Sequence, residues 1–290
     1  MSQESSIGIF GGDQRQVYMA SEFLQKGYRV YTYRLAEHIY HEKCTVLHTL
    51  NELFKQCNLL IGPIPLTRDL VSAASTNGSE LTVSNLANLL TKDHFLIGGM
   101  IPSAITGICT TKGIPCYDLM KNEKITILNA IATAEGSIME AIQSSDQNLH
   151  QSSCLVLGYG HCGKVLAWKL KGLDAKVTVA ARSEEALAYA LAAGFQIIPV
   201  KDMKALLSSF DFIFNTIPSL ILDKSCLDQI KPNATIIDIA SAPGGVDYEY
   251  AMQKKVKAKL CLGLPGKVAP KTSANILVDE IIALLKERSD

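Results

Sequence analysis

Short apolar runs alternate with amphipathic segments along most of the chain. The amphipathic segments carry apolar residues at a spacing near 3.6, which predicts helices, whereas the short apolar runs predict buried strands. This alternation is typical of a parallel β-sheet covered by helices on both faces. We predict two series of strands. The first comprises residues 7–10, 28–33, 59–62, 95–98 and 114–119, and the second comprises residues 154–158, 176–181, 195–200, 210–215, 234–240 and 258–263.

Two longer amphipathic segments complete this pattern. Residues 127–146 lie between the two strand series and predict a hinge helix. Residues 271–290 predict a terminal helix, with Thr272 or Ser273 as candidate N-cap. The fold class is therefore α/β, with two α/β domains linked by bridging helices.

The domain boundaries follow from these elements. Residues 1–128 predict a flavodoxin-like α/β domain, and residues 129–268 predict the hinge helix with a Rossmann-type doubly wound parallel sheet. Residues 269–290 are expected to pack back on the first domain.

Composition narrows the function classes. The 290 residues are 48% hydrophobic and 19% charged, and 28 acidic residues balance 28 Lys and Arg, as in an ordinary soluble cytoplasmic protein without a nucleic-acid surface. The N-terminal "MSQESS" does not resemble a signal peptide, and the chain has no run of about 18–20 apolar residues that predicts a membrane span. The eight cysteines include no CxxC pair, so we expect reduced thiols and no metal site.

The stretch "LVLGYGHCGK" (155–164) places three glycines between a strand and a helix. Gly158 would make the tight turn, Gly160 would let the backbone approach a pyrophosphate, and Gly163 would let the helix pack on the strand. We therefore predict a dinucleotide site here, with a purely structural turn as the alternative. The other residues expected at the cofactor are Tyr159, His161 and Cys162.

The next strand ends in "AARS" and bears on the choice of cofactor. NAD sites usually place a carboxylate there for the ribose hydroxyls, whereas this chain has Ala181. Arg182 and Ser183 supply a cation and a hydroxyl for a 2′-phosphate, which favours NADP. The alternative is that Arg182 simply begins a solvated loop.

Later strand ends are rich in Gly, Pro and small hydroxyl residues. They are "NTIPS" (215–219), "ASAPGGVDY" (240–248) and "LGLPGKVAPKTSA" (262–274). Each alone could be routine turn chemistry, but together they favour loops that approach a cofactor. Within them we expect cofactor contacts from Thr216, Pro218 and Ala240.

The first glycine stretch, "IGIFGGDQRQ" (7–16), lacks the third glycine and carries Asp13 and Arg15. Charged side chains at the carboxyl end of a first strand predict a site for a small polar substrate. The alternative is that Asp13 caps the following helix while Arg15 lies on the surface.

Several of these stretches together resemble one family. The combination of "GGDQRQ", "TAEGSIMEAI", "VLGYGHCGK", "NTIPSLIL", "DIASAPGGVDY" and "GLPGKVAPKTSA" is similar to the A subunits of bacterial dipicolinate synthase over nearly the whole chain. The resemblance implies a pyridine nucleotide-dependent oxidoreductase in the mother cell of a sporulating bacterium. It also implies a hetero-oligomer with a flavoprotein-like B subunit, and a homo-oligomer is expected as well.

The reaction implied by this resemblance is the formation of dipicolinate (pyridine-2,6-dicarboxylate) from a dihydro- or hydroxytetrahydro-dipicolinate precursor. Removing a hydride and a proton from such a ring requires a nearby base. The candidates are Asp13, Glu135 and Asp238, although Glu135 could be only a helix charge and Asp238 only a buried acid that joins two loops. A dianionic substrate also requires cations, for which the candidates are Arg15, Lys267 and Lys271.

The first domain is accordingly expected to hold the substrate and the second to hold NADP. Two other functions stay open. The chain could be another NADP-dependent dehydrogenase of a small carboxylate, or a non-catalytic subunit that binds NADP beside a partner.

Overall fold

The computed structural model describes residues 6–67 and 81–288. The described residues form two six-stranded parallel sheets, each with helices on both faces, which confirms the α/β fold class. The first five residues of "MSQESS", predicted not to be a signal peptide, lie outside the described residues. The chain divides into two compact units, one formed by Met1–Thr126 with Ala269–Asp290 and the other by Ile127–Val268.

The first unit contains a sheet in the order β3-β2-β1-β4-β5-β6. Its strands are β1 (Ser6–Phe10), β2 (Arg29–Tyr33), β3 (Cys44–Val46), β4 (Leu59–Ile61), β5 (Phe95–Gly98) and β6 (Cys116–Asp118). The helices are α1 (Gln14–Gln25), α2 (Leu50–Gln56), α3 (Val83–Leu89), α4 (Ser103–Lys112) and the start of α5 (Glu123–Ser144), with a 3₁₀ turn at Leu119–Lys121.

The flavodoxin-like prediction for the first unit is wrong. A flavodoxin-like sheet has the strand order 2-1-3-4-5, whereas this sheet has the Rossmann order 3-2-1-4-5-6. The difference arises at β3, an edge strand that no apolar run predicts because its three residues are partly or fully exposed.

Two apolar clusters hold the first sheet. On one face, α1 packs with Ala274, Leu277 and Ile281 of helix α11 (Pro270–Glu287). On the other face, α2, α3 and α4 cover the strands. The N-cap of α11 is Ala269, not Thr272 or Ser273, because Pro270 occupies the first helical position, where its missing N–H costs nothing.

The second unit contains a sheet in the order β12-β11-β10-β7-β8-β9. Its strands are β7 (Ser153–Leu157), β8 (Lys176–Ala181), β9 (Gln196–Pro199), β10 (Phe212–Asn215), β11 (Thr235–Asp238) and β12 (Lys257–Leu260). The helices are α6 (His161–Gly172), α7 (Glu184–Ala192), α8 (Lys224–Leu227), α9 (Tyr248–Gln253) and α10 (Leu264–Val268), with a 3₁₀ helix at Val200–Ser209.

The register of the second sheet brings three strand ends side by side. Leu157 of β7 pairs with Asn215 of β10, and Asn215 pairs with Asp238 of β11. The turns that follow these strands therefore open at one edge, the carboxyl edge, where open α/β sheets bind ligands.

Helix α5 is long and apolar enough to meet the criteria for a membrane span by length and composition alone. However, 44% of its most apolar window is buried inside the protein. Ala134 and Ala141 of this helix belong to the core on one face of the second sheet, so this part of α5 packs inside the second unit.

Candidate functional site

The turn between β7 and α6 contains two positions that only glycine can occupy. Gly158 has φ +95°, and a Cβ there would lie 2.3 Å from Thr216 Oγ1. A Cβ on Gly163 would lie 2.1 Å from the carbonyl oxygen of Gly158. These two glycines therefore bring the strand, the turn and the first turn of α6 into direct backbone contact.

Gly160 plays a different role, since a Cβ there would have no neighbour within 4 Å. It is the N-cap residue of α6, and no side chain caps this helix end. The first N–H groups of a helix have no partner within the helix, and the helix dipole favours an anion there. The open turn therefore fits the pyrophosphate of a dinucleotide, in agreement with the motif.

The residues between these glycines contribute in different ways. The side chain of Tyr159 is buried, so the backbone is the part of this residue that can face a ligand. His161 is exposed at the start of α6. Burial raises the pKa of the Cys162 thiol, although a hydrogen bond with the Thr133 side chain opposes the shift. Cys162 is therefore a protonated packing residue at neutral pH.

The end of β8 presents a cation rather than a carboxylate. Ala181 is buried, and the exposed Arg182 donates from Nη2 to Ser219 Oγ over 2.7 Å. The Ser183 hydroxyl accepts a hydrogen bond from the Ala186 N–H and caps α7. Arg182 thus connects the end of β8 to the loop after β10.

A buried carboxylate joins the loops after β10 and β11. Asp238 is fully buried, and its Oδ1 accepts from Asn215 Nδ2 over 2.9 Å and from the Ala240 N–H over 3.0 Å. Its Oδ2 accepts from the Gly245 N–H and from the Tyr248 hydroxyl, both over 2.6 Å. Burial and the bond to Asp238 raise the pKa of Tyr248. With four donors on one carboxylate, Asp238 supports the loops.

The other residues expected in these loops have more local roles. Thr216 Oγ1 donates to the carbonyl of Leu157 over 2.8 Å and thereby fixes the side chain that lies against Gly158. Pro218 is exposed, and Ala240 is buried.

The turn after β1 is closed by its own side chains. Asp13 caps α1 in a capping box, in which the Asp13 N–H donates to Gln16 Oε1 over 2.9 Å. Arg15 is 6% exposed, and it donates to the two Asp13 oxygens over 2.9 Å and 2.8 Å and also to the carbonyl of Ile64. Of the two interpretations of Asp13, the cap is therefore present, whereas Arg15 is buried rather than on the surface.

The remaining charged candidates lie on helices, outside the two turns. Glu135 is exposed on α5 and pairs with Lys169 Nζ over 2.8 Å. Lys169 is eight residues into α6, about 12 Å from the start of that helix. Lys267 and Lys271 are exposed, on α10 and at the start of α11. The stretch around Lys267, expected to be a loop, is the five-residue helix α10.

Sequence reasoning missed several residues of the second unit. Asn215, Ser219 and Tyr248 lie inside stretches that the sequence singles out, but nothing in the sequence indicates their bonds to Asp238 and Arg182. Asn129 of α5 gave no signal at all, because a polar residue in a helix is noticeable only once its burial is known.

Two protein families match consecutive parts of the chain. Residues 6–120 match the N-terminal domain of the A subunit of dipicolinate synthase. Residues 125–260 match the NAD binding domain of the D-isomer specific 2-hydroxyacid dehydrogenases. The second match covers the glycine turn at Gly158–Gly163, so the motif and the match agree on the dinucleotide-binding unit.

Whole-chain relatives agree with these matches. The chain is 33% identical to the A subunit of dipicolinate synthase from Bacillus subtilis in an alignment of 291 positions, which covers 97% of this chain and 96% of the relative. The crystal structure of the A subunit from Bacillus halodurans has a TM-score of 0.88 and 29% identity, with 97% of each chain covered. The crystal structure of the B. subtilis protein has a TM-score of 0.86 and 30% identity, with 98% of this chain and 96% of that chain covered.

Proposed function

Given that the chain belongs to the family of dipicolinate synthase A subunits, we propose that it forms dipicolinate from a dihydro- or hydroxytetrahydro-dipicolinate precursor. The chain is an NAD(P)-dependent oxidoreductase, and a nicotinamide dinucleotide is its cofactor. We further propose that the cofactor is NADP and that named residues of the chain bind the substrate and accept its proton.

The N-terminus of α6 is uncapped behind the open position at Gly160, and this arrangement is the main support for a dinucleotide site here. Its N–H groups would hold the pyrophosphate, and Arg182 would hold the 2′-phosphate of NADP at the end of β8. Ala181 supports this choice, because a carboxylate at that position would repel the phosphate. We infer that NADP binds more tightly than NAD by about 1–3 kcal/mol, the range for hydrogen bonds to charged groups.

When bound, the nicotinamide would accept a hydride from a dihydro ring, and a hydroxytetrahydro precursor would in addition lose a water molecule. The residues of the chain position the groups and take the proton. Asp238 is fully buried and accepts four hydrogen bonds, so we assign it to holding the loops after β10 and β11 and not to proton transfer. Glu135 is engaged by Lys169 at the surface. We retain Asp13 as the proton acceptor, since its side chain is 31% exposed at the carboxyl end of β1.

Two carboxylates on the substrate require cations. The Arg15 guanidinium already binds Asp13 and the Ile64 carbonyl, so it would contribute mainly by its charge. We propose that Lys267 and Lys271, both exposed, bind the carboxylates. Lys271→Met should raise the substrate KM at least about tenfold, while the dinucleotide affinity stays constant.

A partner chain is part of the proposal, because the relatives are A subunits of their enzyme. We propose that the partner is a flavoprotein-like B subunit. The proposed location is the cytoplasm of the mother cell of a sporulating bacterium. Copurification of the two proteins from sporulating cells, with a reciprocal tag as control, tests the partner.

A non-catalytic role is the second candidate function, because Asp13, Glu135 and Asp238 are each bound to other residues. In that case the chain would bind NADP but turn nothing over without its partner.

The deciding experiment follows dipicolinate formation from a freshly generated dihydrodipicolinate precursor, with NADP or NAD and with or without the partner protein. Formation by the isolated chain with NADP supports the proposal. Formation only with the partner supports the second candidate. Oxidation of other small carboxylates instead would contradict both and would indicate a different dehydrogenase.

A further inference from the structure

Helix α5 carries a buried polar side chain that no bond described above uses. Asn129 is 7% exposed, and its Oδ1 has no hydrogen-bond partner among residues 6–67 and 81–288. Buried acceptors in proteins are nearly always paired, so an unpaired one indicates that a partner arrives with a ligand or water.

The contacts of α5 show which end of the helix lies at the ligand edge. Glu140 accepts a hydrogen bond from Lys259 of β12, whereas Gly136 packs against Leu264, which follows the end of that strand. The helix therefore runs antiparallel to β12. Its N-terminal end, with Asn129, lies at the carboxyl edge of the second sheet.

The position of Thr133 shows where Asn129 lies along α5 relative to the glycine turn. The Thr133 side chain lies beside the Cys162 thiol in the first turn of α6, and its hydroxyl donates to the Asn129 carbonyl over 3.0 Å. Asn129 lies one turn earlier on the same face of α5, about 6 Å along the axis. Because α6 begins one residue before Cys162, Asn129 lies beyond the start of α6, on the side where Gly160 leaves open space.

The position of α5 over the sheet indicates which half of a bound dinucleotide lies nearest to Asn129. Glu140 of α5 bonds Lys259 of β12, and Asp146, which follows the helix, pairs with Lys257 of the same strand. A doubly wound sheet has two mononucleotide-binding halves, and the adenosine half lies with the glycine turn and β8. Helix α5 therefore packs over the half that takes the nicotinamide riboside end.

We propose that Asn129 Oδ1 accepts a hydrogen bond from the nicotinamide riboside end of the bound dinucleotide. The inference rests on the proposed dinucleotide function and adds to it a residue outside the glycine motif. The donor is an O–H of the ribose or an N–H of the carboxamide, which share the chemistry that an amide oxygen recognises.

The test replaces Asn129 with a side chain of similar size that lacks the acceptor. For Asn129→Leu, calorimetry should show NADP affinity reduced about three- to tenfold, the range for one uncharged hydrogen bond. Affinity for 2′,5′-ADP, which lacks the nicotinamide riboside, should be unchanged. An equal loss with the 3-acetylpyridine analogue of NADP, which has no carboxamide N–H, assigns the donor to the ribose. No loss with that analogue assigns it to the carboxamide.

Two results would overturn the assignment. One is unchanged NADP affinity in Asn129→Leu, and the other is an equal loss for NADP and 2′,5′-ADP. A wild-type chain that binds neither NADP nor 2′,5′-ADP would instead contradict the proposal that NADP is the cofactor. The failure of that proposal is therefore distinguishable from a failure of the role assigned to Asn129.

Thermal unfolding separates this role from a structural one. Asn129→Leu should leave the unfolding midpoint unchanged or raise it, because the buried Oδ1 has no bond to lose. The matched control is Asn215→Leu, which removes bonds to Ile217 and Asp238 and should lower the midpoint. A comparable fall in Asn129→Leu would assign Asn129 to the core and contradict the proposal.

Discussion

Two glycine turns, one after β1 and one after β7, stand at equivalent places in two sheets of the same strand order. At the first, the Asp13 carboxylate occupies the helix N-terminus, and the buried Arg15 binds that carboxylate. At the second, Gly160 leaves the helix N-terminus uncapped. Because a carboxylate takes the N–H groups and repels phosphate, the residue at the N-cap decides which of two similar turns can take a dinucleotide.

Removing the Asp13 carboxylate from the first turn should cause the largest loss of stability. Asp13→Ala removes the cap of α1 and leaves the buried Arg15 guanidinium without its carboxylate, so the free energy of unfolding should fall by about 3–4 kcal/mol. Chemical denaturation measures the change. The double variant Asp13→Ala with Arg15→Met should recover at least half of the loss, since no buried charge is left unpaired. A loss under about 1 kcal/mol in the single variant would mean that the pair does not close this turn.

The converse experiment places a carboxylate at the N-terminus of α6, in the second turn. Gly160→Asp places a carboxylate at the N-cap of α6, as in the first turn, and position 160 has space for it. Dinucleotide affinity should fall at least about 100-fold, or about 2.7 kcal/mol, because like charges meet at the pyrophosphate position. Calorimetry measures this, with Gly160→Ala as the control of much smaller effect. Retained affinity in Gly160→Asp would place the pyrophosphate elsewhere.

The end of β8 is expected to decide which dinucleotide the second turn binds. Ala181→Asp introduces the carboxylate that NAD sites use, so NADP affinity should fall by about 1–3 kcal/mol while NAD affinity holds or improves. Parallel titrations of both dinucleotides give the ratio. If the wild type already prefers NAD, Arg182 does not select the 2′-phosphate.

The smallest expected effect concerns an ion pair outside both turns. Glu135 and Lys169 form a largely exposed pair, with side chains 56% and 32% exposed, in contrast to the buried Arg15. Glu135→Gln should change the free energy of unfolding by less than about 1 kcal/mol and leave turnover unchanged. Steady-state kinetics checks this, and a turnover loss beyond about tenfold would restore Glu135 as the base.

The sequence was most informative where an apolar pattern and a glycine requirement coincided. The central strands β7, β8, β10 and β11 of the second sheet and the turn at Gly158, Gly160 and Gly163 follow from local signals, because buried strands must be apolar and two of these glycines touch neighbouring groups directly. The exposed edge strand β3 carries no such signal, and without it the pattern predicts the wrong strand order for the first sheet.

The roles of charged side chains were harder to derive. Asp13 and Asp238 both follow or end a strand, and the sequence cannot distinguish a reactive carboxylate from one saturated by backbone donors. The bonds of Asp238 come from Asn215, Ala240, Gly245 and Tyr248, and only the folded loops bring these four together. The unpaired oxygen of Asn129 likewise depends on burial that no local pattern reveals.

A crystal structure of the chain with NADP bound would distinguish the two turns. We expect the pyrophosphate at the first N–H groups of α6, in front of Gly160, with the 2′-phosphate beside Arg182. Pyrophosphate density at the N-terminus of α1, next to Asp13, would show that the N-cap residue does not assign the dinucleotide to the second turn.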